Sequence, residues 1–112
     1  VARVKPVFIR NNFQEVNAFD DVLNLGRHLE DYLREITAKG ARASLIYVDV
    51  PEYQDAYSIK GLYELKKEKV FLRAKLFRGR QPLGDIKAEG QGQQLDALVE
   101  EVLEQALRII NP

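Results

Sequence analysis

The stretch Ala56–Glu89, AYSIKGLYELKKEKVFLRAKLFRGRQPLGDIKAE, decides the fold. It contains runs 56–65, 69–78 and 82–89, separated by LKKEK and RGRQ. Strand side chains alternate between faces, so a correct pairing matches apolar to apolar. Setting Leu65 opposite Val70 brings Tyr63 to Leu72, Gly61 to Ala74 and Ile59 to Leu76. Setting Arg78 opposite Pro82, around a three-residue turn containing Gly79, brings Leu76 to Gly84, Ala74 to Ile86 and Leu72 to Ala88. One face then stays apolar or small across three strands, and a slip of one residue would destroy it. The stretch reads as an antiparallel meander. Gly61 beside Ala74 reads as a place where a helix comes close.

The other face carries Lys60, Leu62 and Glu64, then Phe71, Arg73, Lys75 and Phe77, then Leu83, Asp85, Lys87 and Glu89. Basic and aromatic residues alternate along KVFLRAKLFRGR, as on a platform where bases stack. Such a platform wants a groove of one sign beside its aromatics. Here Lys75 faces Asp85 and Phe71 faces Glu89, so the charge is mixed. The stretch also lacks the ribonucleoprotein pattern with Gly between aromatics. Leu62, Phe71, Phe77 and Leu83 form an apolar patch with Arg73 and Lys75 among them, which reads as a protein-contact surface. A nucleic-acid surface on strand 69–80 is the alternative, and a merely wet sheet face is the plain one.

Outward from the meander, NAFDDVLNLGRHLEDYLREITAKG reads as a helix, with Val22, Gly26, Leu29, Leu33 and Ile36 recurring at spacings of three and four. Phe19, Leu25 and Tyr32 widen that stripe. Asn17 reads as its cap, Asp20 and Asp21 as first-turn partners of the dipole, and Lys39-Gly40 as its end. RVKPVFIRN reads as a first strand, NFQEVN as a loop and ASLIYVDV as a strand stopped by Pro51. LDALVEEVLEQALRII is a second helix, with Leu95, Leu98, Val99, Val102, Ala106 and Ile109 on one face. The expected fold is an α/β two-layer sandwich: one mixed sheet with an antiparallel meander and two helices packed on one face, in the order β-α-β-β-β-β-α.

The chain has 112 residues, the size of one domain, and 46% hydrophobic content, enough for one core. Residues 1–112 read as a single domain. The chain opens on Val1 and holds no Met, which reads as a piece processed or excised from a longer one. It has 17 basic and 17 acidic residues, without the basic excess usual in a dedicated nucleic-acid binder. No apolar run approaches the roughly 18 residues of a membrane span.

Catalytic groups are sparse. With no Cys, thiol nucleophiles and thiolate metal sites are excluded. Ser44, Ser58 and Thr37 stand in no nucleophile motif, and the single histidine, His28, has only Asp31 three residues on. Asp20-Asp21 and Glu100-Glu101 are adjacent pairs that diverge on a helix. Metal binding needs clustered ligands. GQGQQ lacks the lysine and hydroxyl of a phosphate loop and reads as a strand-to-helix turn. These absences point away from an enzyme, and no catalytic residue, metal or cofactor is expected.

Ile59-Lys60-Gly61 with Tyr63, the hairpin strand Val70, Leu72, Ala74 and Leu76, and the helix entry Gly90, Leu95 and Leu98 form a pattern. It resembles a bacterial envelope superfamily that includes the amino-terminal domain of TolB, the curli-secretion lipoprotein, the flagellar lipoprotein FlgO and the lipoprotein activator of a penicillin-binding protein. The first strand, loop and helix fit more loosely, since Arg10-Asn11-Asn12-Phe13 stands where the family has a "PF-N" turn. The lipidated cysteine of the lipoprotein members is absent. The resemblance implies a non-enzymatic accessory domain working through protein contacts on the periplasmic side of the envelope. Similar domains appended to larger proteins, caspase-like proteases among them, leave a cytoplasmic setting open.

Overall fold

The computed structural model describes residues 5–112. One six-stranded mixed sheet is built from β1 (Val7–Phe8), β2 (Asn12–Glu15), β3 (Ile46–Tyr47), β4 (Tyr57–Lys66), β5 (Lys69–Arg78) and β6 (Gln81–Gln91). The helices are α1 (Leu25–Thr37) and α2 (Leu95–Ile110), and a short 3-10 turn spans Gly40–Arg42. The strand order is β3-β1-β4-β5-β6, with β2 also pairing β4. The α/β sandwich stands as expected, with one strand more.

The meander is in the expected register. Leu65 pairs with Val70, Tyr63 with Leu72, Gly61 with Ala74 and Ile59 with Leu76. Leu76 pairs with Gly84, Ala74 with Ile86 and Leu72 with Ala88. The turn into β6 differs. Arg78 pairs with Gln81 rather than Pro82, and Phe77 with Pro82, so the turn is Gly79-Arg80 and the register shifts between Leu76 and Phe77. Leu83 is the extra residue of that bulge. Gly79 sits at φ 62°, a conformation glycine adopts without steric cost.

NFQE is a strand, not a loop. β1 and β2 both run parallel to β4, Phe8 beside Tyr57 and Asn12 beside Lys60, with a one-residue change of register between them. Phe13 enters the core and Glu15 is buried beside it, while Asn12 and Gln14 face out. Of the expected first strand RVKPVFIRN, residues 3–4 lie outside the described residues, and the rest forms a ladder only at Val7–Phe8.

The first helix begins at Leu25, eight residues later than expected. Asn17 is not its cap, and Phe19 and Val22 are exposed rather than part of its stripe. Phe19 and Asn24 have φ near +55°, which no right-handed helix accommodates. The first turn has no acidic residue of its own. Asp21 instead reaches forward, its Oδ1 accepting the Leu25 N–H at 2.8 Å and its Oδ2 the Gly26 N–H at 2.8 Å. Its carboxylate still meets the positive end of the helix, from the preceding loop. The helix ends at Thr37, with Gly40 beyond it at φ 62°.

Leu25, Leu29, Leu33 and Ile36 of α1 and Leu98, Val99, Val102, Leu103 and Ala106 of α2 join the inner sheet face in one core. Gly61 does not lie under a helix. A Cβ there would meet the Ala74 Cβ at 2.8 Å, the Phe13 ring at 2.9 Å and the Arg73 carbonyl at 3.0 Å. The close helix approach is at Gly84, where a Cβ would come within 2.9 Å of Ile109 in α2.

Candidate functional site: the outer face of the meander

Both helices cover the inner face of the sheet. Across β2, β4, β5 and β6 the outer face is an open trough of about 1200 Å³. Its rows follow from the ladders: Asn12, Lys60, Lys75 and Asp85 form one, then Gln14, Leu62, Arg73 and Lys87, then Glu64, Phe71 and Glu89. Leu62 is 52% exposed and Leu83 38%, while Phe71 and Phe77 are half-buried.

All six residues expected from the sequence, Leu62, Phe71, Arg73, Lys75, Phe77 and Leu83, belong to β5 and its two neighbours. The trough takes in Leu62, Phe71, Arg73, Lys75 and Phe77. Leu83 lies on the bulge beside Phe77, outside it. The trough adds Asn12, Gln14 and Val16 from β2 and its exit. Reading NFQEVN as a loop hides these three. The alternation of Asn12 and Gln14 around Phe13 is the signal that reveals them.

The charges are arranged. Lys75 lies 4.0 Å from Asp85, and Lys66 lies 3.7 Å from Glu64. Among the described residues, Lys60 and Arg73 in the middle of the trough and Lys87 on the edge strand have no carboxylate within 4 Å, and Glu89 on the same edge strand has no cation within 4 Å, so the middle is basic and the β6 side mixed. The Lys60 ammonium stands 5.3 Å over the Phe77 ring and the Lys66 ammonium 5.9 Å over the Phe71 ring. The ring faces on which bases would stack are thus partly covered by cations.

Other surfaces offer less. The outer edge of β6 is bridged at Lys87, where the Gln105 side chain accepts the backbone N–H at 3.2 Å and donates to the carbonyl at 2.7 Å. That blunts an edge otherwise open to strand addition. A polar cleft between α1 and β2 includes Arg10, Glu30 and Arg34. Arg10 is 2.7 Å from Asp49, and Arg34 is 2.6 Å from Glu30 and 3.2 Å from Asp49. These hydrogen-bonded pairings hold Asp49 below the usual carboxylate range, Arg10 being the larger cause. Burial pushes the Tyr47 hydroxyl nearby up to about 12.

Of the sparse hydroxyl groups, Thr37 ties α1 to β3. Thr37 Oγ1 donates to the Leu33 carbonyl at 2.8 Å and accepts the Tyr47 N–H at 2.8 Å. Ser58 is buried and Ser44 exposed. His28 Nδ1 is 3.7 Å from Asp96 Oδ1, so its neighbour is the start of α2 rather than Asp31. Among the described residues no three His, Asp or Glu side chains gather as metal ligands, and no helix is long and apolar enough to cross a membrane.

No protein-family model and no curated protein matches the chain. Among solved structures it is similar to a PelC dodecamer from Paraburkholderia phytofirmans, at 15% identity over 92% of this chain and 86% of that one, with a TM-score of 0.53. A ribosomal subunit interface protein from Coxiella burnetii shares 14% identity over 94% and 99% of the two chains, with a TM-score of 0.47. An uncharacterized protein shares 9% over 95% and 97%, with a TM-score of 0.41. The first of these likenesses is one of fold.

Proposed function

We propose that the chain is a non-enzymatic protein-interaction module that docks an apolar, acidic protein surface in the trough. The observation that carries this is Leu62, 52% exposed beside Phe71 and Phe77 on a sheet face that neither helix covers, with Lys60, Arg73 and Lys87 around it. An apolar patch rimmed by charge is the signature of a contact surface. PelC, whose fold is similar, is a dodecamer, so assembly has a parallel in a chain of this shape. The setting we propose is an accessory domain of a bacterial envelope protein. Its support is the resemblance carried by Gly61, Tyr63 and Gly90.

The test is capture of partners from bacterial lysate by wild type, Phe71→Ser/Phe77→Ser and Arg73→Ala/Lys75→Ala. Aromatic anchors carry most interface energy, and rim charges mainly tune association rate. The phenylalanine variant is expected to lose its partner and the charge variant to retain it.

Nucleic acid is the second reading, favoured by the unpaired Lys60, Arg73 and Lys87. It requires binding of generic single-stranded DNA or RNA that falls steeply with salt and weakens in Arg73→Ala. That result would replace the protein-contact reading.

A further inference from the structure

The loop joining β2 to α1 holds Phe19, which is 79% exposed, the highest value for a large hydrophobic among the described residues. Its backbone sits at φ 55°, a left-handed conformation costly for a bulky side chain. The loop is nonetheless firmly held. The buried Glu15 carboxylate accepts the N–H of Asn17 at 2.7 Å and of Ala18 at 3.0 Å. The Phe19 N–H donates to the Glu15 carbonyl at 2.9 Å, and the Glu15 N–H to the Asp20 carbonyl at 2.8 Å. Strain of this kind persists where its surroundings over-determine it, and it clusters at functional sites such as ligand clamps and switch regions. The core does not include this ring. Val16 and Val22 are exposed in the same loop, and Asp20 follows Phe19. The result is a pre-organised knob that is apolar and acidic.

The middle of the trough is its complement, apolar at Leu62 and basic at Lys60 and Arg73, with Glu64 and Asp85 already paired to Lys66 and Lys75 and Glu89 off to the β6 side. We infer that the loop 16–22 of one copy of this chain docks in the trough of a second copy, Phe19 against Leu62 and Asp20 against the basic middle. This rests on the trough being a protein-contact surface, and it names the partner. Two other pairings between copies are weaker. Trough against trough brings two basic middles together. The outer face of α2 offers Asp96, Glu100 and Glu104, but no large hydrophobic exposed as Phe19 is. Val16 belongs to both, so knob and trough adjoin. Two copies that dock each other's troughs close as a two-fold dimer, and copies that each dock a different neighbour propagate to a ring or a filament.

The trough crosses four strands and runs along at most seven residues of one of them, Phe71–Phe77. Strands about 4.8 Å apart and about 3.3 Å per residue give a footprint of roughly 19 by 23 Å, or about 440 Å². That is about half the ~800 Å² per partner of a standard interface, the size of a weak contact that forms only as concentration rises.

The experiment is sedimentation velocity of the whole chain over a micromolar concentration series, as wild type, as Phe19→Asn and as Leu62→Glu. Asn tolerates the left-handed conformation, so Phe19→Asn keeps or raises the melting temperature. Leu62 is exposed, so its change leaves folding intact. Wild type is expected to associate, to dimer or beyond, as concentration rises, and each variant alone to stay monomeric. An equimolar mixture of the two variants is expected to form dimers and stop, because it supplies one intact knob and one intact trough. A monomeric wild type, variants that associate like wild type, or a mixture that stays monomeric would each overturn the inference. If wild type is monomeric but Phe71→Ser/Phe77→Ser still loses a different captured protein, the trough reading stands and self-docking falls. If wild type is monomeric and that variant loses nothing, both fall.

Discussion

Tyr63→Phe removes one oxygen atom and tests how the sheet fixes the start of α1. The Tyr63 ring is 1% exposed on the inner face of β4. Its hydroxyl donates to Asp21 Oδ1 at 2.6 Å and accepts the Leu23 N–H at 3.1 Å. The same carboxylate accepts the first N–H groups of α1. The substitution leaves the packing in place, so the transfer contribution is small. A hydrogen bond to a charged group contributes about 1.5–3 kcal/mol, and the Leu23 N–H is left without its partner. Leu23 is half-buried, so water recovers part of that loss. The expected destabilisation is about 2–3 kcal/mol.

Urea unfolding followed by circular dichroism measures it. On a slope of roughly 1–1.5 kcal/mol per molar, ordinary for a small domain, the midpoint falls by about 2 M. Asp21→Ala is expected to lose more, since a cap contributes about another 1 kcal/mol. The double variant should then fall short of the sum. Burial first, and the Asp21 carboxylate second, hold the Tyr63 phenol above its ordinary value of 10.0. The loss should therefore be the same at pH 6 and pH 9. A shift under about 0.5 kcal/mol, or additive single changes, would refute the account of how α1 starts.

Two further outcomes follow from the core and the loop. Gly61→Val should lose about 1–3 kcal/mol by overpacking, because its Cβ meets Phe13, Ala74 and the Arg73 carbonyl, while Lys60→Ala on the outer face gives up only its contact with the Phe77 ring and stays within about 1 kcal/mol; denaturant midpoints rank the two. Burial raises the Glu15 pKa, but the N–H groups of Asn17, Leu65 and Ala18 more than offset it, leaving the value below 4.5. That depression stabilises fully above the ordinary value and is lost as pH falls through the lower one, so Glu15→Gln should flatten the acid limb of a melting-temperature profile below pH ~4.5.

The meander was legible because three strands had to agree on one face at once, and a register of period two has few ways to do so. Its outer residues came with it, since naming the inner face names the other. What the sequence hid were places where side chains, not periodicity, direct the backbone. NFQE carries one apolar residue, and its second inward position is Glu15, whose carboxylate is satisfied by backbone N–H groups. The spacing of Phe19, Val22, Gly26 and Leu29 mimics a helical stripe. Only the positive φ of Phe19 and Asn24 shows that the helix cannot reach back to them. Leu83 was displaced by a bulge, which one unpaired residue creates without any mark in the apolar pattern.

The lysines over the phenyl rings bear on which partner the trough takes. Each cation–π interaction at an exposed site contributes about 0.5–1 kcal/mol. A partner must displace Lys60 from Phe77 and Lys66 from Phe71 to reach the ring faces. Full burial of a phenyl side chain gains about 1.5–3 kcal/mol relative to exposure. These rings start half-buried, so the remaining gain is smaller and of the same order as the cation–π energy given up. A ligand that only stacks therefore gains little here. One that also covers Leu62 and brings a carboxylate to receive the displaced ammonium groups recovers the loss and adds to it. Phe19 beside Asp20 brings an apolar ring and a carboxylate together.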